Sequence, residues 1–210
     1  KILKIVINSL YSDRDIFLRE LLSNASDAIH KRKFSGQTSP ALLNKSKDTI
    51  EIEIDKKQKT IEITDTGIGL AEKELAETLG TIAKSGTSSF LEELSDSDNT
   101  KDAAKTLIGQ FGVGFYSAFM VAEKVIVTST KAGTSKAFVW ESDGQNGFNI
   151  SGSKQSRNVG TSIKLFLRKD AKDYLDLAKL KTLVKKYSDH ITVPINIKDN
   201  KNEAEQANSA

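Results

Sequence analysis

Three polar side chains at helical spacing, Glu20, Asn24 and Asp27, have the chemical types that could hold a metal ion. Residues four and seven positions apart lie on one face of a helix, and this face borders the apolar side of a helix predicted for residues 14–34. A carboxylate and an amide oxygen one turn apart can bind a hydrated Mg²⁺, which takes few protein ligands. The alternative is a solvated helix face with a local ion pair between Asp27 and Lys31. The pattern alone leaves both interpretations open.

Asp65 is a second candidate, because it ends a predicted strand directly before the glycine turn at residues 66–69. A carboxylate at a strand end can accept a hydrogen bond from an exocyclic amine, and glycines let a flat ring approach the backbone. The alternative is an Asx turn, in which the carboxylate accepts a backbone N–H two residues further on. Asx turns are the commoner outcome, so Asp65 needs support from the rest of the chain.

A third stretch, residues 107–119, places Gly109, Gly112 and Gly114 ahead of an apolar run. Backbone N–H groups at a glycine-rich helix start form an anion site, so this stretch could cradle phosphates or be a plain turn. Its Gly-x-x-Gly-x-Gly order follows a polar segment, whereas the dinucleotide fingerprint follows a buried strand. Residues 80–85 also differ from a P-loop, since no glycine directly precedes the lysine. The sequence therefore disfavours both the dinucleotide-binding fold and the P-loop fold, but it does not disfavour a nucleotide as the ligand.

Hairpin and helix patterns alternate along the chain and would position these candidates. Apolar–polar alternation predicts strands at residues 49–55, 60–64, 124–130, 136–141, 147–150, 161–167 and 191–197. Helical periodicity predicts helices at residues 2–10, 14–34, 71–82, 88–94 and 175–187. This order predicts an α+β fold, a two-layer sandwich whose mainly antiparallel sheet is covered on one face by helices. We expect one domain over residues 1–197, followed at residues 198–210 by the start of a polar linker.

Composition narrows the function classes. The 210 residues carry a net charge of +3 with lysines spread along the chain, which does not suggest a nucleic-acid partner. No apolar run approaches the ~20 residues that cross a bilayer, so no membrane role is expected. The absence of cysteine excludes disulfides and thiolate metal sites, and His30 and His190 lack ligand spacing. The chain begins inside a helical pattern without Met or a signal peptide, so we interpret it as an excised domain.

Taken together, the motifs resemble the N-terminal ATP-binding domain of the 90-kilodalton heat-shock chaperones, within the gyrase, histidine-kinase and mismatch-repair ATPase superfamily. The similar stretches, in the order of that family, are residues 16–28, 65–69, 79–87, 108–119 and 160–161. The resemblance implies a GHKL-type ATPase fold that binds ATP or ADP with Mg²⁺ under a lid at about residues 85–114. It also implies client proteins, a homodimer in the full-length protein, and slow hydrolysis without the middle domain of the same chain.

The resemblance also implies roles for individual residues. Glu20 would be the general base, Asn24 the Mg²⁺ ligand, and Asp65, helped by Thr161 through water, the acceptor for the adenine amino group. The remaining nucleotide contacts would come from Asp27, Ala28, Lys31, Gly69, Leu70 and Thr78. The phosphates would be held by Lys84, Gly109, Gly112, Val113, Gly114 and Phe115. Leu70 and Thr78 depart from the family, which often has Met and Asn there, and we expect these changes to alter affinity more than chemistry.

Several stretches look closest to endoplasmin, the endoplasmic-reticulum branch of this family. The segment between Gly86 and Ile108 is longer than in cytosolic members, and residues 7–11, 140–143 and 184–188 also look like that branch. The expected location is therefore the lumen of the endoplasmic reticulum, with the cytoplasm or the mitochondrion as alternatives.

Two other functions compete with a chaperone ATPase. One is a nucleotide-gated interaction module, in which ATP is a switch ligand and hydrolysis is negligible. Glu20, one turn before Asn24, favours an enzyme. The other is the ATP domain of a kinase or topoisomerase, which fits residues 16–28 and 108–119 less well.

Overall fold

The computed structural model describes residues 13–84, 113–154 and 158–210. The helices predicted at residues 2–10 and 88–94 lie outside the described residues, as do Gly109, Gly112 and most of the predicted lid.

Among the described residues, an eight-stranded sheet forms one layer, with the strands in the order β5-β4-β3-β6-β2-β1-β7-β8. The strands are β1 (Ile50–Asp55), β2 (Thr60–Asp65), β3 (Ala122–Thr130), β4 (Ala137–Ser142), β5 (Asn149–Gly152), β6 (Gly160–Leu167), β7 (Ile195–Asp199) and β8 (Glu205–Gln206). Neighbouring strands are antiparallel except β1 and β7, which are parallel. The predicted α+β class with a mainly antiparallel sheet is confirmed.

Helices form the second layer. The α-helices are α1 (Ile16–Thr38), α2 (Glu72–Lys84), α3 (Val113–Tyr116) and α4 (Leu177–Ser188). Short 3₁₀ helices occupy Pro40–Leu42, Ser117–Met120 and Lys169–Leu175. Within the described ranges, no helix has the length and apolar character needed to cross a membrane.

Helix α1 extends beyond the predicted end at residue 34, because it continues through Gly36 to Thr38. A Cβ at Gly36 would lie 2.2 Å from a methyl carbon of Leu43, so the glycine serves close packing and the helix continues. The helix stops before Pro40, which begins the next 3₁₀ turn and has no backbone N–H to donate.

The core lies between α1 and the inward face of the sheet. Strand residues at alternate positions, such as Ile52, Ile63 and Val127, point inward and are buried. From the other side α1 buries Phe17, Leu18, Leu21, Leu22, Ala25 and Ile29. This packing holds the polar stripe of α1 at the border of the core, where the sequence pattern predicts it.

The C-terminal residues differ from the predicted linker. Strand β8 pairs with β7, and the Asn208 side chain is buried against the chain before β7. The Asn208 amide donates to the carbonyls of Ile191 (2.8 Å) and Val193 (2.9 Å) and accepts from the Ile195 N–H (2.9 Å). The polar composition of this segment therefore supplies hydrogen bonds to the sheet edge.

Candidate functional site

A cavity of about 280 Å³ lies over the middle strands of the sheet, between α1 and the turn that follows β2. Its walls are mostly apolar, with a few polar groups, which is the usual character of a small-molecule site. The structure brings ten of the predicted site residues into these walls: Asn24, Asp27, Ala28, Lys31, Asp65, Gly69, Leu70, Thr78, Phe115 and Thr161.

Asp65 is the most constrained polar group in the cavity wall. The residue is 7% exposed, and its Oδ1 accepts the Gly67 N–H at 2.8 Å. Burial raises the pKa of Asp65 from its ordinary 3.8 to about 7, against the opposing effect of the N–H groups of Gly67 and Thr161. The Asx turn that we considered as an alternative is therefore present, and it coexists with a place in the cavity wall.

The two glycines of the turn allow a close approach between segments. A Cβ at Gly67 would lie 2.6 Å from the Cβ of Ala28, so α1 packs directly against the turn. Gly69 has a φ of 67°, and a Cβ there would lie 2.0 Å from the Thr130 carbonyl oxygen. Both positions therefore exclude a side chain, so the turn packs closely against α1 and against the backbone at Thr130.

Ser129 is a contributor that the sequence reasoning missed. Its Oγ lies 2.8 Å from Thr161 Oγ1 and accepts the Leu70 N–H at 2.8 Å. One hydroxyl group thus holds two predicted contact residues in place. Ser129 follows Val125 and Val127 at a period of two, and that period identifies an inward-facing polar residue.

The polar stripe on α1 faces the cavity mouth. Asn24 and Asp27 are exposed and line the cavity. Among the described residues, Asp27 and Lys31 do not form the ion pair that we considered as an alternative. These side chains are therefore available to a ligand.

Glu20 lies one turn before Asn24 and outside the cavity wall. Its carboxylate accepts from the Arg19 guanidinium at 2.6 Å. A Cβ at Gly114 would lie 2.7 Å from the other carboxylate oxygen, Oε2. The start of α3 therefore packs directly on Glu20.

The remaining predicted phosphate contacts are only partly described. Lys84 is the last residue of α2 and Val113 the first of α3, which places both at the borders of the segment between those helices. Gly109 and Gly112 lie within that segment, outside the described residues. Within the described ranges, no group of three acidic, histidine or cysteine side chains could hold a metal ion by itself.

Comparison with known proteins identifies the class. Residues 14–146 match the family described as histidine kinase-, DNA gyrase B- and HSP90-like ATPases, and this chain belongs to that family. More particularly, it resembles bacterial proteins named chaperone protein HtpG. The HtpG of Rhodospirillum rubrum is 48% identical over 211 residues, which cover 100% of this chain and 34% of that protein. That of Rickettsia canadensis is 50% identical, over 100% of this chain and 34% of its own length.

A third relative, HtpG of Buchnera aphidicola, is 49% identical over 95% of this chain and 32% of its own length. The chain therefore spans about a third of the length of the curated relatives it matches. The resemblance to the 90-kilodalton heat-shock chaperones is confirmed at the level of the family.

The assignment to endoplasmin and to the endoplasmic reticulum is wrong, because these relatives are bacterial. Of the alternatives, the cytoplasm fits them. Two residues of the stretches behind that assignment belong to the core: Trp140 is fully buried and packs edge-on against Phe115, and Val184 is buried.

Proposed function

We propose that this domain binds ATP and ADP, with the adenine seated in the cavity and its amino group donating to Asp65. One observation carries the proposal. Asp65 is a buried carboxyl group in the cavity wall, and its backbone donors are the N–H groups of Gly67, at 2.8 Å from Oδ1, and of Thr161. Two backbone donors leave lone pairs of the carboxylate that would accept from an amine, and Gly69 would let a flat ring lie close to the backbone of the turn.

Other cavity residues would complete the contacts with the nucleotide. Thr161, held by Ser129, would assist Asp65 through water. Leu70 and Ala28 would pack against the adenine, while Asp27, Lys31, Gly69 and Thr78 line the same space. Lys84 and the backbone from Gly109 to Phe115, including Gly112, Val113 and Gly114, would hold the phosphates on the basis of the family resemblance.

Asn24 is the residue that would bind Mg²⁺. The donor set fits, because Mg²⁺ keeps several waters and takes one or two protein oxygens together with phosphates, and the Asn24 side chain lies exposed at the cavity mouth. When bound, the ion would neutralise charge between the phosphates.

Glu20 would act as the general base toward the attacking water during ATP hydrolysis. It lies one helical turn from Asn24, and Gly114 packs on its carboxylate. A base held beside the phosphate end of the site could orient the water and accept its proton.

The full-length protein would be an ATP-dependent chaperone that acts on client proteins as a homodimer. The HtpG relatives, three times as long as this chain, support this proposal. Hydrolysis by this domain alone would be slow, because the middle domain of the same chain would complete the site.

The adenine contact is tested with Asp65→Asn. The amide would turn a donor toward the adenine amino group, so we expect calorimetry with Mg-ADP to show at least about a hundredfold weaker binding. Asp55→Asn is a matched control, because Asp55 accepts N–H groups in the turn at the other end of the same hairpin. Undiminished binding by folded Asp65→Asn would refute the assignment.

Glu20→Gln in the full-length protein separates an ATPase from a nucleotide-gated interaction module. We expect Mg-ADP affinity within a few-fold of the wild type and ATP turnover at least about a hundredfold lower, since loss of a general base has that effect. Glu123→Gln, an exposed change at the start of β3, serves as the control. If Glu20→Gln keeps the turnover of the wild type, Glu20 is not the general base. If turnover is negligible in the wild type itself, the interaction module is favoured.

A further inference from the structure

Arg32 is a buried cation close behind the cavity, and the proposed binding contacts do not use it. The residue is 8% exposed and lies on the core-facing side of α1. Its Nε donates to the Leu42 carbonyl at 2.7 Å, and its Nη1 donates to the Thr66 carbonyl at 2.8 Å. Burial lowers the pKa of Arg32, and the Asp48 carboxylate opposes that effect. An arginine remains charged at neutral pH in such a setting.

The Thr66 carbonyl belongs to the same peptide group as the Gly67 N–H. That N–H donates to Asp65 Oδ1 at 2.8 Å, while Arg32 holds the oxygen at the other end of the group. The plane of this peptide is therefore fixed from both sides. A cation at the carbonyl also polarises the peptide and strengthens its N–H as a donor, because linked hydrogen bonds reinforce one another.

Helix α1 also forms a hydrogen bond with the turn at Ala28, one helical turn before Arg32. The Ala28 carbonyl accepts the Ile68 N–H at 3.0 Å, so the helix accepts from the turn at Ala28 and donates to it at Arg32. On the outer side, Thr66 Oγ1 donates to Asp48 at 3.2 Å. The backbone around Asp65 is thus held by contacts of opposite polarity.

We propose that Arg32 is a positioning residue that orients the Asp65 carboxylate through the Thr66–Gly67 peptide and thereby sets selectivity for the adenine amino group. This inference rests on the proposed function of Asp65. With Oδ1 engaged by the peptide, the remaining lone pairs of the carboxylate would be left to accept from the ligand. Without Arg32 the peptide can rotate, and the carboxylate then loses its fixed orientation while the apolar walls and the phosphate contacts remain.

The test compares two nucleotides, ADP and purine riboside 5′-diphosphate, which lacks the 6-amino group. Calorimetry gives the ratio of their affinities for the wild type, Arg32→Met, Arg32→Lys and Lys33→Met. Lys33→Met is the matched control, because it removes the adjacent cation and its contact with Asp48 (3.3 Å) but leaves the Thr66 carbonyl engaged. The other charged groups of the cavity wall, Asp27 and Lys31, are the same in all four proteins.

We expect the wild type and Lys33→Met to prefer ADP at least about tenfold. The preference should fall below threefold in Arg32→Met and be intermediate in Arg32→Lys, which keeps the charge but lacks the planar, spaced donors with which the guanidinium reaches both carbonyls. Equal weakening of both nucleotides in Arg32→Met, with an unchanged ratio, would show a merely structural role and overturn the inference.

Two further outcomes are also decisive. If Arg32→Met does not fold, the ratio in Arg32→Lys decides: a value below that of the wild type supports the inference, and a wild-type value contradicts it. If the wild type itself does not distinguish the two nucleotides, the proposed role of Asp65 fails and the inference fails with it. That result differs from one in which only the Arg32 variants behave unexpectedly.

Discussion

The carboxyl group of Asp65 is under two opposing influences. Burial raises its pKa to about 7, and the N–H groups of Gly67 and Thr161 act in the opposite direction. Near neutral pH the ionised form, which an amine donor would need, is therefore costly in the absence of a ligand. Binding sites commonly hold such groups at the expense of stability.

Asp65→Asn should stabilise the domain, and the gain should grow with pH. Between pH 4 and 7 the folded state retains a proton that the unfolded state has lost, so the free energy of unfolding falls as pH rises through this window. The cost is absent below pH 4 and complete above pH 7, where it reaches up to about 4 kcal/mol for a shift of this size. Thermal unfolding of Asp65→Asn and of the wild type at pH 5 and pH 8 measures this difference in stability. A difference between variant and wild type that is the same at both pH values would contradict the prediction.

Individual residues differ in how far the sequence reveals them. Asn24 and Asp65 are visible because their type and spacing imply a role without knowledge of the fold. The role of Arg32 is not apparent from the sequence, because it lies between two lysines, Lys31 and Lys33, in what looks like an exposed charged run. Its position three residues after Ile29 on the apolar face does predict burial, but only the structure shows that its partners are backbone carbonyls distant in sequence.

At the scale of elements, periodicity predicts most strands to within two residues, since the inward face is buried and the outward face is not. Strand β7 is an exception: it was expected from residue 191 and begins at Ile195. Pro194 has no N–H to donate, and its carbonyl instead accepts the Ile50 N–H at 2.9 Å, just ahead of the parallel pairing with β1. A parallel partner distant in sequence leaves no trace in local periodicity.

Helices α2 and α3 are joined by one buried side chain. The hydroxyl of Tyr116, a residue that is 1% exposed, donates to the Leu79 carbonyl. This bond connects two elements that flank residues 85–112, and Leu79 and Phe115 beside it line the cavity. Helices α2 and α3 therefore support this side of the cavity together.

Tyr116→Phe should weaken this support. The change removes one buried hydrogen bond, which costs about 0.5–1.5 kcal/mol and lowers the melting temperature by roughly 1–6 °C in a domain of this size. Tyr187→Phe is the control, because its hydroxyl makes an exposed contact of 3.3 Å with Asp13. Equal melting temperatures for the two variants would show that the bond contributes nothing.

For the whole molecule, the order of the sheet explains the location of the site. The cavity is lined by Asp65 of β2, Val127 of β3 and Thr161 of β6, three adjacent strands in the middle of the sheet. Central strands are hydrogen-bonded on both sides, so they hold a carboxylate and a hydroxyl in a fixed relation. The last residues of the chain lie at one edge of the sheet, where β8 pairs with β7 and where they serve stability.

Asn208→Ala should therefore destabilise the domain without changing the site. The substitution removes the two N–H donors and the one oxygen acceptor that the Asn208 side chain provides to the buried backbone of residues 191–195. The expected cost in the free energy of unfolding is about 2–4 kcal/mol. Asn196→Ala is the control, since it removes only the bond of that amide to Glu51. We expect urea unfolding at 25 °C to show a lower midpoint for Asn208→Ala alone and calorimetry to show wild-type affinity for Mg-ADP. A wild-type midpoint would mean that the hydrogen bonds of Asn208 contribute nothing measurable to stability. If Asn208→Ala keeps the unfolding midpoint of the wild type but binds Mg-ADP more weakly, this edge of the sheet is coupled to the cavity.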